Sequence, residues 1–446
     1  MSKKTMHIGL DDTDSTRKGC TTYVAALLVE KLEKLGARFL DYPNLIRLNP
    51  NVPWKTRGNG ALCLRIRYDE LVEDEIKEVV LSTVEGNADL QFKGTDPGVV
   101  FMRGRRIPGE IRDFAKKTIT EIVTLREALR LLEKYKGEAV GFKNGRGIIG
   151  SLAAIGETLE KDYTYEILAY RIPENYGSRR KVNEASIFRM DKATSPYTFN
   201  NVDTDRRRVI ITPRGPDPIL FGIRGENPEI LKKAFRMTNS LEPVERWVIF
   251  RSNQGTDAHL KRISSLRDLR PYSSVIVRVH VMNRPHLIRG RHVIFSVKDE
   301  TGQVDCAAYE PSGNLSKAAR ELLEGDYARI YGSVRAPSSK TPLTLNVEKI
   351  QLLKLAPKIL FENPKCPKCG KRMKSMGKEK GFRCERCGFR DSEGAKLRFK
   401  AKRELNKGLF IASARSQRHL TKPLARYGME KHDGSKVKLA ENWHFP

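Results

Sequence analysis

The chain has 446 residues, 39% of them hydrophobic and 31% charged, with a formal net charge of +29 and a pI of about 9.8. That length suggests three domains, or four if some are small, and the apolar fraction is enough for packed cores, which excludes a disordered chain. The positive surplus calls for a polyanionic partner, nucleic acid first; a membrane surface competes, but the chain has no basic amphipathic helix and no long apolar run.

Nothing like a signal peptide follows Met1-Ser2-Lys3-Lys4, so the expectation is a protein without membrane contact. Seven cysteines are too few and too unevenly placed for a disulfide framework, and four of them group as a metal site, which points to a reducing cytoplasm. Cys63 and Cys306 fall in strand-like runs and read as small core residues. Cys20 has no histidine near it in sequence, so a catalytic thiol is not indicated.

An apolar strand leads into Gly9-Leu10-Asp11-Asp12-Thr13-Asp14-Ser15, and Gly19-Cys20-Thr21-Thr22 then opens a helix with Val24, Leu27, Leu28, Leu32 and Leu35 on one face. Three carboxylates within four positions repel one another, and Mg²⁺ with nucleotide phosphates is the cation they suit; Asp11, Asp12 and Asp14 are the candidate ligands. Strand alternation would put Asp12 and Asp14 on one side unless a turn has begun. Thr21 and Thr22 stand where helix N–H groups attract phosphate. The competing interpretation is an Asx-turn and a helix cap without chemistry.

The stretch from Arg47 to Ala61 is broken by Pro50, Pro53, Gly58 and Gly60, and Lys55 and Arg57 on it could donate to nucleotide phosphates. Strands are expected over Ala61–Ile66 and Val99–Phe101, with a helix over Asp69–Val84. Gly145-Arg146-Gly147-Ile148-Ile149-Gly150 matches the dinucleotide fingerprint, yet no clear strand precedes it and its helix breaks at Gly156. It reads as a close-packed turn opening a helix. Strands over Tyr165–Arg171, Val209–Thr212 and Pro218–Ile223, with a helix over Asn227–Phe235, indicate a small α+β domain.

Five β-rich runs follow: Val275–Met282, Val293–Lys298, Gln303–Ala308, Tyr327–Val334 and Leu343–Gln351. A helix over Leu315–Leu323 between the third and fourth gives the layout of an OB-fold barrel, a frequent binder of single strands and loops. Cys366-Pro367-Lys368-Cys369 and Cys384-Glu385-Arg386-Cys387, separated by 14 residues, fit four thiolates around one structural Zn²⁺. From Lys365 to the end the chain carries 23 Lys and Arg against 8 Asp and Glu, about half of the whole surplus. Arg415, Arg418, His419, Lys422 and Arg426 are therefore candidate contacts to an RNA backbone, with a merely solvated tail as the alternative.

Together, Gly9–Ser15, Cys20-Thr21-Thr22, Arg47-Leu48-Asn49-Pro50, Lys55–Ala61, Gly145–Gly150, Ser252–Leu260 and the four cysteines closely resemble the archaeal 2-agmatinylcytidine synthetases of the minor isoleucine tRNA (the TiaS family) over essentially the whole length. The resemblance implies a multidomain α+β enzyme. Its parts would be a kinase-like α/β domain over residues 1–135, a ferredoxin-like domain over 136–245, a five-stranded OB-fold over 262–355, and a zinc ribbon with a basic tail over 360–446. It implies a ligase that uses ATP to join agmatine to C2 of the wobble cytidine in the CAU anticodon, so that the tRNA reads AUA instead of AUG. Asp11, Asp12 and Asp14 match the family's acidic Mg²⁺/ATP motif and Thr21 its autophosphorylated threonine. The family usually has Thr-Asn-Pro-Gly where this chain has Thr95-Asp96-Pro97-Gly98, which bears on the role of Asp96.

Phosphorylation of the C2 oxygen would create both an electrophile and a leaving group. The agmatine amine must lose a proton and its guanidinium wants a carboxylate, for which Glu166, Asp203 and Asp217 are unranked candidates. The wobble base has to leave its stack. Two other functions fit parts of the chain: a non-catalytic single-stranded nucleic-acid-binding protein, which leaves the carboxylates unused, and an ATP-dependent RNA kinase or nucleotidyltransferase. No P-loop motif occurs.

Overall fold

β1 (Lys3–Asp11) is buried on both faces from Thr5 to Leu10, as a central strand covered by helices should be. This computed structural model describes residues 3–432 and 437–446. After β1 come α1 (Thr21–Lys34), β2 (Arg38–Phe39), β3 (Asn44–Arg47), β4 (Gly60–Asp69), α2 (Glu73–Asn87), β5 (Gly98–Arg103), α3 (Gly109–Thr120), α4 (Leu125–Lys134), β6 (Glu138–Gly141) and α5 (Gly147–Gly156). The strands order as β6-β5-β1-β4-β3, all antiparallel. α2 starts later than the expected Asp69, because Asp69 Oδ1 accepts from Leu71 N and caps a short 3₁₀ turn first.

The second unit runs β7 (Thr164–Arg171), α6 (Glu184–Thr194), β8 (Thr198–Phe199), β9 (Val202–Asp203), β10 (Arg208–Val209), β11 (Ile219–Gly225), α7 (Pro228–Met237) and β12 (Val244–Ser252). Its antiparallel order β12-β7-β11-β8 is fourth, first, third, second: the ferredoxin-like arrangement. The strand expected over Val209–Thr212 shortens to Arg208–Val209, since Ile210 N donates to Asn201 O and Ile211 O accepts from Gly222 N. β12 joins β3 in parallel through Arg251 and Ser252, so one sheet and one core run through both units. The sheet does not break near residue 135, where β6 still pairs with β5 and α5 lies against β1.

The barrel follows, with β13 (Leu260–Arg262) leading into β14 (Ser274–Val281), then β15 (His286–Ile288), β16 (His292–Asp299), β17 (Gly302–Ala308), α8 (Asn314–Arg320), β18 (Tyr327–Arg335) and β19 (Thr344–Lys354). The ring β14-β16-β17-β19-β18 closes on β14 with its one parallel pair between β17 and β19, which is the OB-fold anticipated from the five runs. β20 (Lys358–Glu362) leads out to the ribbon, whose β21 (Lys374–Ser375), β22 (Phe382–Arg383) and β23 (Arg390–Asp391) form a small sheet over Cys366, Met373, Phe382 and Cys384; β24 (Leu397–Ala401) returns against β20. Among the described residues no helix is long and apolar enough to cross a membrane.

The tail beyond the ribbon is a built part of the fold. β25 (Gly408–Ile411) adds to β19 of the barrel, residues 412–432 pass between barrel and N-terminal half, and β26 (His444–Phe445) pairs with β12. Trp443 packs edge-on to Phe39 and Tyr42. Here the expectation of tail cations free for RNA is corrected for Arg426. Its guanidinium is fully buried, 2.5 Å from Glu226 and 2.8 Å from Asp162, and donates to Gly255 O. Lys422 holds Glu430 at 2.9 Å and Arg418 holds Glu348 at 3.2 Å. Arg415 donates to Pro311 O at 3.1 Å and stands 3.4 Å from Asp203. Chain burial, which no local spacing reports, turned Arg426 inward and left Arg415, Arg418 and Lys422 paired but partly exposed. Arg426→Ala would leave Glu226 with Lys431 and Asp162 with Lys422 as their remaining cations and should cost about 2–4 kcal/mol, read by denaturant titration.

Candidate active site

β1 ends at Asp11, and Asp12 already has the left-handed φ of +62°, so the turn begins inside the acidic run. The turn splits the carboxylates. Asp12 takes the Arg146 guanidinium at 2.6 Å and accepts from Asp96 N at 3.2 Å. Asp14 accepts from Thr56 Oγ1 and Arg57 Nε, both at 2.9 Å. Asp11 has no arginine of its own. Burial and the neighbouring Asp12 charge hold its carboxyl well above the usual range, and burial lifts Asp12 to about 6 despite Arg146. The three do not close on a single point. Among the described residues only Cys366, Cys369, Cys384 and Cys387 form a cluster tight enough to hold an ion.

The glycine-rich turn explains itself here. A Cβ on Gly150 would collide with the Asp11 carboxylate, and one on Gly9 with Ser151 O, so small residues let α5 lie directly on β1. Arg146 rides on that turn and reaches both Asp12 and, at 3.5 Å, Asp96, whose Oδ1 accepts from Asn144 Nδ2. The segment is thus a helix-opening turn and not a dinucleotide site. Arg146 is a site residue that the sequence did not single out; its only signal was a basic residue inside a motif correctly set aside.

Cys20 caps α1 with no side-chain bond to a helix N–H, its Sγ meeting Thr22 Oγ1 at 3.0 Å instead, and Tyr23 N and Val24 N both return to Cys20 O. The N–H groups of Thr21 and Thr22 have no intrahelical acceptor and face the acidic turn, where Thr13 Oγ1 donates to Thr21 Oγ1 at 3.0 Å. Lys55 Nζ donates to Arg57 O at 3.0 Å and borders the same space. Arg57, expected as a phosphate ligand, stands on the same wall and also serves as a clamp. Its guanidinium bridges Asp14 and Asp217 at 2.9 Å each and donates to Gly19 O, which leaves it neutralised between the two N-terminal units. Burial keeps the Cys20 thiol protonated, against a catalytic thiolate.

These groups line one cavity of about 340 Å³ between the two units and the tail. Asp11, Asp12, Asp14, Thr21, Thr22, Lys55, Arg57 and Arg146 stand on its wall with Glu166, Asp217, Arg224 and His419; Asp203 does not. Glu166 is spent on Gln254 Nε2 (2.6 Å) and Arg224 Nε (3.0 Å). Arg415, Arg418, Lys422 and Arg426 are absent from the wall, whereas His419, grouped with them by charge alone, is on it.

The ribbon meets its metal requirement. Cys366 and Cys387 Sγ lie 3.4 Å apart, as do Cys369 and Cys384, and all four fall within 4.8 Å of one another. Gly370 N and Gly388 N return to Cys366 O and Cys384 O, and both glycines sit at φ near +70° in matching knuckles. That donor set suits a structural Zn²⁺.

A carboxylate-lined cavity, carried with an OB barrel and a four-thiolate ribbon on one basic chain, defines a multidomain nucleic-acid-modifying enzyme. Family models narrow this further: the TiaS TCKD domain matches residues 7–144, the TiaS FLD domain 145–259, an OB-fold nucleic acid binding domain 274–353 and the TiaS C-terminal zinc ribbon domain 363–405. The chain belongs to the TiaS family. It is 41% identical to the isoleucine-tRNA 2-agmatinylcytidine synthetase TiaS of Methanocaldococcus jannaschii over 94% of this chain and 98% of that one. It is 41% identical to the Archaeoglobus fulgidus enzyme of the same name over 95% and 98%. It also matches the solved complex of TiaS with its isoleucine tRNA and ATP, with a TM-score of 0.85 at 40% identity, covering 95% of this chain and 97% of that one. The complex of TiaS with the same tRNA, AMPCPP and agmatine matches with a TM-score of 0.83 at 37% identity over the same shares.

Gly150→Ala should push Asp11 aside, costing about 1–3 kcal/mol and most of the activity with it; thermal melts and turnover measure both. Asp12 adds a pH signature. Its folded pKa of about 6 lies above the unfolded value, so the folded state holds the extra proton and stability falls as pH rises from about 4 to 6. Ligand-free Asp12→Asn should lose that slope, worth about 1.4 kcal/mol per pH unit, in melts compared with wild type across the window.

Proposed function

We infer that this protein is an ATP-dependent ligase that joins agmatine to C2 of the wobble cytidine of the minor isoleucine tRNA, forming 2-agmatinylcytidine so that the CAU anticodon reads AUA. The observation that carries this is near full-length identity of about 41% to enzymes of that name, together with the carboxylate and phosphate-binding groups gathered on one cavity wall.

The residues divide the work by chemistry. The free N–H groups of Thr21 and Thr22, with the positive end of α1, suit ATP phosphates, and Lys55 adds a charged donor opposite them. Asp11 and Asp12 would hold Mg²⁺ with those phosphates; burial raises both carboxyls, and Asp11 has no arginine against it. When bound, the ion supplies charge neutralisation for phosphoryl transfer. Thr21 Oγ1, already accepting from Thr13, is oriented at the helix start as a phosphoryl acceptor. Transfer to the cytidine C2 oxygen would follow, and the agmatine amine would displace that phosphate after giving up a proton. Glu166 and Asp217 face the cavity, but Arg224 and Gln254 hold the first and Arg57 and Arg180 the second, so neither is assigned to agmatine.

The tRNA body needs a grip elsewhere. With the tail cations held in ion pairs, exposed bases of the ribbon such as Lys378, Lys380, Arg383, Arg390, Arg398 and Lys400 take that role beside the barrel. Four cysteines grouped for zinc, three buried elsewhere, and a tRNA substrate fit a cytoplasmic enzyme.

The test is incorporation of labelled agmatine into an unmodified CAU-anticodon isoleucine tRNA with ATP and Mg²⁺. Asp12→Ala and Thr21→Ala should each reduce incorporation at least about 100-fold. Wild-type protein that binds the tRNA without incorporating label would mark a binding protein instead.

A further inference from the structure

The cavity has a second charged wall, built and backed by five separate stretches of chain. Glu166 of β7 and Arg224 of β11 are direct cross-strand partners, 3.0 Å apart. Arg47, ending β3, places Nη2 3.8 Å from the other Glu166 oxygen, while its Nε donates to Gln254 Oε1 at 3.2 Å. Gln254 Nε2 closes the ring on Glu166 at 2.6 Å. On the far side Arg224 Nη2 donates to His419 Nδ1 at 2.8 Å.

Charge does not balance in this ring. Several other buried guanidiniums have a carboxylate of their own, Arg171 with Glu242, Arg251 with Asp41, Arg403 with Asp326 and Arg426 with Asp162 and Glu226, whereas Arg65 donates to Asn44 Oδ1 and to the carbonyls of Ile155 and Glu157. Here two guanidiniums share Glu166, and Lys55 lies near enough to act on His419. The imidazole adds no negative charge and, because Nδ1 accepts from an arginine, must be the neutral Nε2–H form. Burial with Arg47, Arg224 and Lys55 around it holds it well below its usual pKa. Burial pulls Arg47 down to about 10. Arg47, Arg224 and His419 are half-buried on the cavity wall, so the surplus faces the substrate space rather than bulk solvent.

We propose that Arg47 and Arg224 form a second anion site, held in geometry by His419 from the tail, that binds a phosphate of the RNA substrate and not of ATP. This rests on the ligase reading above. Planar guanidiniums fixed by Glu166 and Gln254 match phosphate oxygens, and they stand on β3 and β11, elements other than the helix start whose N–H groups are offered to ATP. Two phosphates could fill it: a backbone diester beside the extruded cytidine, or the phosphoryl group carried on its C2 oxygen. His419 is a positioning residue. Its backbone is pinned by Gly255 N at 2.8 Å and Leu420 O accepts from Asp257 N at 2.8 Å, so the site is complete only with the tail threaded back from the ribbon.

The test uses the full-length protein with Arg47→Gln, Arg224→Gln, His419→Ala and His419→Asn, each checked by thermal melt. Agmatine incorporation at saturating tRNA, tRNA Kd by filter binding at two salt concentrations, and KM for ATP are measured for each. If the site takes the C2 phosphoryl group, incorporation falls at least 30-fold with tRNA Kd and ATP KM within threefold. If it takes a backbone phosphate, tRNA Kd rises tenfold or more and the salt slope drops by about one. In either case His419→Asn, whose Oδ1 can replace Nδ1 as acceptor, recovers most of what His419→Ala loses. A rise in ATP KM alone, no change in any reading, or His419→Ala equal to wild type while the arginine variants fail would overturn the proposal. Failure of the wild type to incorporate agmatine would instead defeat the ligase reading, with the Kd series still reporting on the site.

Discussion

Three aspartates at the end of a buried strand repel one another, and the structure around them is arranged to make that tolerable. Asp12 is neutralised by Arg146 from the turn that opens α5, and Asp14 by Arg57 from the loop before β4. Neither arginine belongs to the strand it serves. Arg57 also binds Asp217 of the ferredoxin-like unit, so the charge balance of the acidic turn depends on both N-terminal units being docked. Asp11 has no arginine of its own, and Gly150 of α5 leaves room for its carboxylate.

The positive surplus of the chain does two different jobs. In the ribbon it lies on the surface, where screened, mobile charges suit a phosphate backbone. In the tail it is held in ion pairs that fasten the last segment to what precedes it: Arg426 to Asp162 and Glu226, Lys431 to Glu226, Arg418 to Glu348. Such pairs add little net stability over apolar packing but fix one arrangement, because any misplacement strands a charge in low dielectric. The tail thereby ties barrel, sheet and cavity together, with Leu420 and Trp443 contributing to the N-terminal core.

Features set by local chemistry were legible before the fold was known. The five barrel strands and their helix, the four thiolates, the acidic turn with its helix start and the rejection of Gly145–Gly150 as a dinucleotide site all depend on periodicity, spacing or turn residues a few positions apart. Family resemblance extended that reading to substrate and reaction.

What failed was the assignment of partners to charged side chains. Arg57, Arg146, His419 and Arg426 differ from other basic residues only in what lies opposite them, and those groups come from 40 to more than 260 positions away. A charge's role is decided by its dielectric surroundings and its nearest counter-charge, both consequences of packing. The sequence by itself determined the elements, the metal knuckles and the acidic motif, because short-range sterics and ligand spacing act along the chain. Only the tertiary structure decided which cations face solvent, which close the acidic turn and which point into the cavity, because long-range pairing is settled when sheet, barrel and tail bury one another.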